Sequence, residues 1–227
     1  MTITRREFNA GLGAVALAGG AIVSGLAALD ARLFGQAAAQ TVSSVELMAP
    51  NPLGEMVVGS ADAPITIVEY ASMTCPHCAH FHETTFPELK KQYIDTGKVR
   101  FIFREFPLDL LAAAGFMLAR CAVKDAPNSD KYFGVIDLLF RTQGQWAVEK
   151  PLDPLFGIVK QAGFTQQSFN ACLANQDLLN GIQGVRDNAS QKLGVSSTPT
   201  FFINGKKLAG ALTMADFEKE FQPYLKS

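Results

Sequence analysis

Ile65-Thr66-Ile67-Val68-Glu69-Tyr70 and, four residues further on, Cys75-Pro76-His77-Cys78 are the two stretches that decide the fold. The first is largely apolar and β-branched at its start, which predicts a buried strand over residues 65–71. The second opens a helical pattern over residues 76–96, in which Pro76 fits the first turn because its missing N–H costs nothing there. The sequence therefore predicts a strand–CxxC–helix join.

This join places Cys75 at a helix N-terminus, where unpaired N–H groups and the helix dipole favour a thiolate. A thiolate is the attacking species of thiol–disulfide exchange, so we expect Cys75 to be the nucleophile and the more exposed thiol. Cys78 lies one turn further on and suits a more buried, resolving partner. His77 between them can donate to the Cys75 thiolate or stabilise its charge.

Two other interpretations of the CxxC motif have to be weighed. The motif is half of a zinc site, and His80 and His82 are close by, but the chain has no second CxxC to complete clearly paired ligands. An inert structural disulfide is the other alternative. We predict a redox-active Cys75–Cys78 disulfide, no metal and no cofactor.

The N-terminus has the features of an export signal. Thr4-Arg5-Arg6-Glu7-Phe8 is a twin-arginine sequence, and a weakly hydrophobic Gly/Ala-rich run covers residues 10–29. Ala37-Ala38-Ala39 then offers a small-residue cleavage site. We expect residues 1–39 to direct export to the periplasm, with an uncleaved membrane anchor or a disordered tail as alternatives.

Composition limits the function classes further. Of the 227 residues, 48% are hydrophobic and 18% charged, which is enough apolar material for one sizeable core. The formal net charge of −1 gives no electrostatic footprint for nucleic acid. The chain has four cysteines, and an even number in an exported protein permits two disulfides.

The rest of the chain continues an alternating pattern of strands and helices. A second strand is predicted over residues 99–106, and residues 108–194 carry five helical segments. β signals return at residues 200–203, followed by a hairpin turn at Asn204-Gly205, a strand over residues 206–209 and a last helix over residues 213–226. Thr213 and Asp216 should form the capping box of that helix. The order predicts an α/β fold made of βαβ, a helical insertion and ββα.

Three separated motifs give the chain a resemblance to the DsbA family of exported dithiol oxidases. They are residues 62–70, the CxxC motif at residues 75–78, and residues 195–205, which contain Thr198-Pro199. The resemblance implies a thioredoxin fold with an inserted all-helical subdomain. It divides the chain into a lead-in at 40–56, a first thioredoxin part at 57–107, the insertion at 108–194 and a second thioredoxin part at 195–227.

The resemblance also implies roles for residues outside the CxxC motif. Pro199 should be a cis-proline that faces the CxxC motif and offers its backbone to a bound peptide, with Thr198 lining the thiol pocket and able to bond a sulfur. Glu69 should lie buried beneath the disulfide and transfer a proton to Cys78; an exposed strand-end carboxylate is the alternative. The family often has a lysine near this acid, and Arg104 is the nearest basic candidate here.

Five further side chains lie outside the motifs. Cys121 and Cys172 fall in different helical segments, and some members of the family carry a second, non-catalytic disulfide in this region; two free buried cysteines are the alternative. We expect His80 and His82 on the helix surface, and Trp146 packed within the insertion.

The leading function is that of an enzyme that oxidises dithiols of exported proteins. A disulfide reductase or isomerase of the same fold is the alternative. Thr198 before the proline supports this alternative, because isomerase-like relatives often have threonine there. A non-redox peptide-binding chaperone is a further alternative. The resemblance implies a membrane redox partner for reoxidation. Reductases and isomerases usually need a dimerisation platform, and the short lead-in offers none, so the oxidase is favoured. We expect a monomer.

Overall fold

A mixed sheet of five strands forms the centre of the described structure. A computed structural model describes residues 42–123 and 129–225 of the protein, and the predicted export signal, residues 1–39, lies outside these ranges. The strands are, in chain order, β1 (Met56–Val58), β2 (Ile65–Ala71), β3 (Val99–Glu105), β4 (Thr200–Ile203) and β5 (Lys206–Ala209). Their order across the sheet is β1-β3-β2-β4-β5. Only the pair β2–β3 is parallel among these strands.

Helices cover both faces of this sheet. Those in the described ranges are α1 (Ser44–Leu47), α2 (Pro76–Thr84), α3 (Phe86–Leu89), α4 (Leu110–Cys121), α5 (Ser129–Arg141), α6 (Gln143–Trp146), α7 (Leu152–Val159), α8 (Gln166–Leu173), α9 (Gln176–Lys192) and α10 (Met214–Phe221). A π-helical segment, Lys90–Ile94, follows α3, and a 3₁₀ turn, Lys160–Ala162, follows α7. None of the helices described here is long and apolar enough to cross a membrane.

The architecture is a thioredoxin fold with a helical insertion, as the sequence predicted. The predicted strand at residues 65–71 is β2, and α2 carries the chain over the sheet to the parallel strand β3. The helices α4 to α9 lie between β3 and β4. The hairpin turn at Asn204 and Gly205 joins β4 to β5, and Thr213 caps α10 through a capping box with Asp216.

The helix predicted over residues 76–96 is divided into three pieces. α2 ends at Thr84, α3 begins at Phe86, and the last piece is the π-helical segment. Pro87 lies in the first turn of α3. Because proline has no backbone N–H, it cannot extend the hydrogen-bond ladder of α2, so the chain begins a new helix there. The final helix is also shorter than predicted, since α10 ends at Phe221.

Three short elements were not predicted from the sequence: α1, β1 and α6. Each is three or four residues long, too short to show a periodic pattern. The segment predicted as a loose lead-in, residues 40–56, therefore contains α1 and the first residue of β1. Leu47 and Met56 within it are buried.

The two faces of the sheet belong to two separate apolar clusters. Because side chains alternate along a strand, Ile67 and Ala71 of β2 face the larger cluster beneath α2, while Val68 and Tyr70 face the smaller one. The larger cluster also receives residues from α4, α5 and α10. The alternation thus decides which side of the sheet each residue of β2 can serve.

Candidate active site

Cys75 and Cys78 lie at the start of α2, directly beyond the carboxyl end of β2. Cys75 is the N-cap residue, with extended backbone (φ −79°, ψ 119°), and Pro76 is the first helical residue. Both cysteines are free thiols in this structure. Cys75 keeps 6% of its surface exposed and Cys78 none, which is the order predicted from the sequence. Only the Cys75 thiol therefore reaches the surface of a largely closed site.

The surroundings of Cys75 favour its ionised form. The pKa of this thiol is lowered to about 5, chiefly by a hydrogen bond from the Cys78 thiol, while burial acts in the opposite direction. The Thr198 side chain and the backbone N–H groups of Cys78 and His77 lower this pKa further. The helix N-terminus thus acts on the sulfur through specific amide groups, as expected for a thiolate at this position.

The surroundings of Cys78 have the opposite effect. Burial raises the pKa of this thiol well above its ordinary value, and the hydrogen bond to Cys75 and the negative charge of Glu69 raise it further. One thiolate and one thiol therefore share the reduced site. Neighbouring titratable groups whose pKa values are moved apart are typical of sites that perform acid–base chemistry.

The loop before β4 faces the thiols. The peptide bond between Thr198 and Pro199 is cis, and the Cys75 thiol donates a hydrogen bond to the Thr198 carbonyl oxygen at 3.3 Å. The Thr198 hydroxyl is buried and has no hydrogen-bond partner among the described residues. The structure thus brings Cys75, Thr198 and Pro199 together across one small cleft.

Glu69 is fully buried on the sheet face beneath α2, and its partner is a histidine. Its Oε2 lies 2.9 Å from Nε2 of His82, which is itself 3% exposed. The prediction that His82 lies on the helix surface is wrong. His82 is four residues after Cys78, so both side chains are on the buried face of α2, whereas His80 is exposed as predicted.

Arg104 is not the basic partner of Glu69. Arg104 is opposite Tyr70 in the sheet, and Tyr70 points away from the face on which Glu69 lies. The Arg104 guanidinium instead bonds Glu55, the Tyr70 hydroxyl and the Leu47 carbonyl oxygen. This part of the sequence-based prediction is therefore wrong, because one position along a strand changes the face of the sheet.

Contacts from the helical insertion hold the loop that precedes Cys75. The Gln143 side-chain amide donates hydrogen bonds to the carbonyl oxygens of Met73, at 2.8 Å, and Cys75, at 3.1 Å. The Thr74 hydroxyl donates to Asp109, the N-cap residue of α4, at 2.8 Å. The sequence analysis missed these residues, and no motif marks Gln143 or Asp109. Only the packing of the insertion against the loop reveals their role.

The two residues inside the CxxC motif are exposed. Pro76 starts α2, as predicted, and His77 follows it. Within the described ranges no hydrogen bond joins the His77 ring to Cys75. The contribution of His77 to the low pKa of Cys75 comes from its backbone N–H.

A second pair of cysteines lies in the insertion. A disulfide joins Cys121, at the end of α4, to Cys172 in α8, with 6.1 Å between their Cα atoms. Trp146 is fully buried and donates its indole N–H to the Leu139 carbonyl oxygen at 2.8 Å, which is a packing role. Among the described residues, no group of three or more His, Cys, Asp or Glu side chains is arranged to hold a metal ion.

Several known proteins are similar to this chain in sequence. Residues 52–222 match a family model described as thioredoxin. The chain is 36% identical over 152 residues to a putative protein-disulfide oxidoreductase of Rickettsia bellii, covering 66% of this chain and 57% of that protein. It is 31% identical over 159 residues to a probable disulfide bond formation protein D of Bacillus cereus, covering 65% and 69%. The chain spans little more than half the length of the rickettsial relatives it matches.

Solved structures give the same result at the level of the fold. The crystal structure of Wolbachia pipientis α-DsbA1 has a TM-score of 0.72 and 32% identity, with 80% of this chain and 96% of that one covered. Oxidised BdbD from Bacillus subtilis has a TM-score of 0.67 over 76% of this chain and 94% of that one. Its identity is 23%, so that likeness concerns the fold alone.

Proposed function

We propose that this chain, which belongs to the DsbA-type thiol:disulfide oxidoreductases of the thioredoxin fold, oxidises pairs of thiols in exported proteins with its Cys75–Cys78 disulfide. The observation that carries the proposal is the opposite displacement of the two thiol pKa values beside a cis-proline. A site that stabilises the thiolate of Cys75 stabilises its own reduced form. The corresponding disulfide is then a good oxidant.

The reaction proceeds in two exchanges. A substrate thiolate attacks Cys75 Sγ, a mixed disulfide forms there, and Cys78 leaves with the electron pair of the broken bond and takes up a proton. The second substrate thiol loses its proton and attacks the substrate sulfur of the mixed disulfide, which releases Cys75 as a thiolate. The low pKa of Cys75 makes it a good leaving group in this second exchange.

The remaining site residues have supporting roles in the proposal. The backbone beside Pro199 pairs with the extended substrate, and Thr198 lines the pocket and contacts the Cys75 sulfur. Glu69, buried near Cys78, is the proposed proton donor for its leaving sulfur. Pro76 and His77 form the exposed rim of the site, where the His77 ring meets the substrate.

The location and the partners follow from the predicted export signal. We infer that residues 1–39 direct the chain to the periplasm, that residues 57–107 and 195–227 form the thioredoxin parts, and that a membrane redox protein reoxidises the reduced, monomeric enzyme. Replacing Arg5 and Arg6 with lysine should keep the protein in the cytoplasm, since the twin-arginine route reads this pair. Export of that variant at the normal level would contradict the proposed signal.

The equilibrium of the Cys75–Cys78 couple with glutathione tests the function and its direction together. An oxidase should give a potential of about −180 to −120 mV, whereas a value near about −270 mV indicates a reductase. The wild type should also oxidise a dithiol peptide, and Cys75→Ser should not. His80→Gln, which changes an exposed residue of the same helix, is the matched control. A reducing potential together with no peptide oxidation would overturn the proposal.

A further inference from the structure

A buried hydrogen-bonded pair lies on the sheet face beneath α2, and part of it has no role in the proposed function. Glu69 and His82 are joined at 2.9 Å between Oε2 and Nε2, and both side chains are almost completely buried. His82 is on the same helix as Cys78, one turn further on, so both side chains lie on the buried face of α2. Such a pair needs a physical reason, because burying polar and ionisable groups is costly.

Aromatic rings hold His82 in one orientation. Its ring stacks on Phe140, with 4.5 Å between the ring centroids and 22° between the planes. The rings of Phe81, Phe86 and Phe103 contact it from other sides. None of these neighbours offers a polar atom, so the hydrogen bond of His82 Nε2 is directed to Glu69. The histidine therefore fixes one oxygen of the carboxylate and cannot readily turn away.

The other oxygen of Glu69 is free. Oε1 is buried and has no hydrogen-bond partner in the described part of the chain. The negative charge of Glu69 raises the pKa of two groups, the Cys78 thiol and the Tyr132 hydroxyl. The Tyr132 hydroxyl already donates to Glu105 at 2.8 Å. Cys78 is thus the acid that remains for exchange with Glu69.

The charged groups on neighbouring elements do not compete for this carboxylate. Glu105 on β3 is bonded by Arg120 of α4 at 2.5 Å and by Tyr132 of α5. Arg104 lies on the opposite face of the sheet. Cys75, at the start of α2, raises the pKa of Cys78 through a hydrogen bond and its charge, and it does not bond Glu69. The groups that face Cys78 from β2 and α2 are therefore Glu69, His82 and Cys75.

We propose that His82 is the positioning residue for proton transfer at Cys78: it holds Glu69 by one oxygen so that the other is available to the leaving sulfur. The inference rests on the proposed function and deepens it. The proton that Cys78 takes up is supplied, in this proposal, through the hydrogen-bonded pair, whose Oε2 and Nε2 are 2.9 Å apart. His82 contacts neither the substrate nor the reacting sulfurs. Its effect is therefore exerted through Glu69.

The proton and the electrons balance over one cycle. When a substrate thiolate attacks Cys75, the disulfide bond breaks and its electron pair goes to Cys78. Cys78 then takes the proton of the Glu69–His82 pair and becomes a thiol, leaving a carboxylate that accepts the N–H of His82. When a disulfide partner reoxidises the enzyme, Cys78 returns this proton to the pair and attacks Cys75 in the mixed disulfide with that partner.

The titration of Cys78 in the reduced protein, followed by NMR of its Cβ, tests this role. His82→Phe removes the hydrogen bond that holds the Glu69 carboxylate in place, so the carboxylate can turn away from Cys78. The charge of Glu69 then opposes ionisation of Cys78 less, so the midpoint should move to lower pH. Glu69→Gln should move it in the same direction. His82→Gln, which keeps an N–H donor, and the exposed control His80→Gln should leave the midpoint at its wild-type pH.

The combination of the two substitutions separates this role from a merely structural one. Because His82 acts through Glu69, His82→Phe should cause no further change in a Glu69→Gln background. Equal changes in both backgrounds, or no change with His82→Phe, would overturn the inference. If His82→Phe does not fold, His82→Asn, whose amide is too short to reach Glu69, replaces it with the same expected results.

Failure of the inference and failure of the proposed function give different results. If the wild type oxidises a dithiol peptide and His82→Phe leaves the Cys78 midpoint unchanged, only the role of His82 is wrong. If the wild type does not oxidise the peptide, the proposed function is wrong, and the proton-transfer role of His82 falls with it.

Discussion

At the scale of single residues, the site depends on two thiols that lie one helical turn apart and behave differently. The Cys78 thiol, two backbone amides and an interaction with Thr198 favour the thiolate of Cys75. Cys78 is enclosed by apolar groups and lies near the charge of Glu69, which favour its thiol. The difference arises from position alone, since the two side chains are chemically identical.

The ionisation of Cys75 should make the stability of the reduced protein depend on pH. Its pKa is about 5 in the folded protein and about 8.5 in an unfolded chain. Between these values the unfolded chain binds a proton that the folded chain has released, so the free energy of unfolding should rise with pH. This contribution is fully present above pH about 8.5 and is lost as the pH falls through about 5.

Denaturant unfolding of the reduced and oxidised proteins across this range measures the effect. The oxidised protein is the control, because its disulfide does not titrate. Cys78 does not interfere, since its raised pKa affects stability only at higher pH. Parallel pH dependences of the two forms would show that Cys75 is not ionised in the folded protein.

Residues that act through the local chain could be predicted from the sequence, and residues that act across the fold could not. The position of Cys75 follows from a strand and a helix that are adjacent in sequence. The burial of His82 depends on where α5 places Phe140, more than 50 residues away. Gln143 reaches the active-site loop only because α6 packs against it. No pattern in the sequence encodes these approaches.

At the scale of elements, α6 holds the start of α2 in place. Replacing Gln143 with leucine should lower the free energy of unfolding by about 2 kcal/mol, because the hydrogen bonds to Met73 and Cys75 are lost. The pH midpoint for alkylation of Cys75 should also rise above about 5, since the loop no longer fixes the sulfur at the helix N-terminus. Gln145→Leu, at an exposed position of the same helix, is the control. Equal behaviour of the two variants would contradict the role of Gln143.

The turn before β2 requires a glycine for two separate reasons. Gly59 has φ +93°, and a Cβ at this position would lie 2.3 Å from the Val99 carbonyl oxygen. Gly163 has the same φ with no atom within 4 Å of its Cβ position. Gly163→Ala should therefore cost about 1 kcal/mol, from the left-handed backbone alone. Gly59→Ala should cost about 3 kcal/mol more, because the backbone must also shift.

Urea unfolding of both glycine variants measures this difference. Gly163→Ala is the internal control for the backbone term, so the excess cost of Gly59→Ala isolates the close approach between the turn and β3. A Gly59→Ala variant as stable as Gly163→Ala would show that β3 moves freely away from the turn.

At the scale of the whole molecule, long-range ties bind the segment before β1 to the body of the protein. Arg104 bonds Leu47 and Glu55 of this segment. Arg120 of α4 bonds the carbonyl oxygens of Leu53 and Gly54. The sequence predicted a loose lead-in, because arginines carry no sign of which distant backbone they meet. The overall fold was predictable because its motifs are local and occur in a diagnostic order.

The disulfide between Cys121 and Cys172 should contribute to global stability. It closes a loop with a sequence separation of 51 residues, for which chain entropy predicts about 4 kcal/mol. The double variant Cys121→Ala/Cys172→Ala should be less stable by this amount in urea unfolding. Its Cys75 alkylation midpoint should stay at pH about 5, which serves as the control for an intact active site. A loss below about 1 kcal/mol would contradict the entropic estimate.

The borders of the sheet have a consequence for an enzyme whose proposed substrates are extended chains. Exposed strand edges template aggregation with other unfolded polypeptides. Here the outer strands β1 and β5 are only three and four residues long, and β5 begins with Lys206 and Lys207. Lys206 is paired with Glu220 of α10, so this border carries charged side chains. The protein can therefore bind aggregation-prone polypeptides while exposing little strand edge on which a fibril could nucleate.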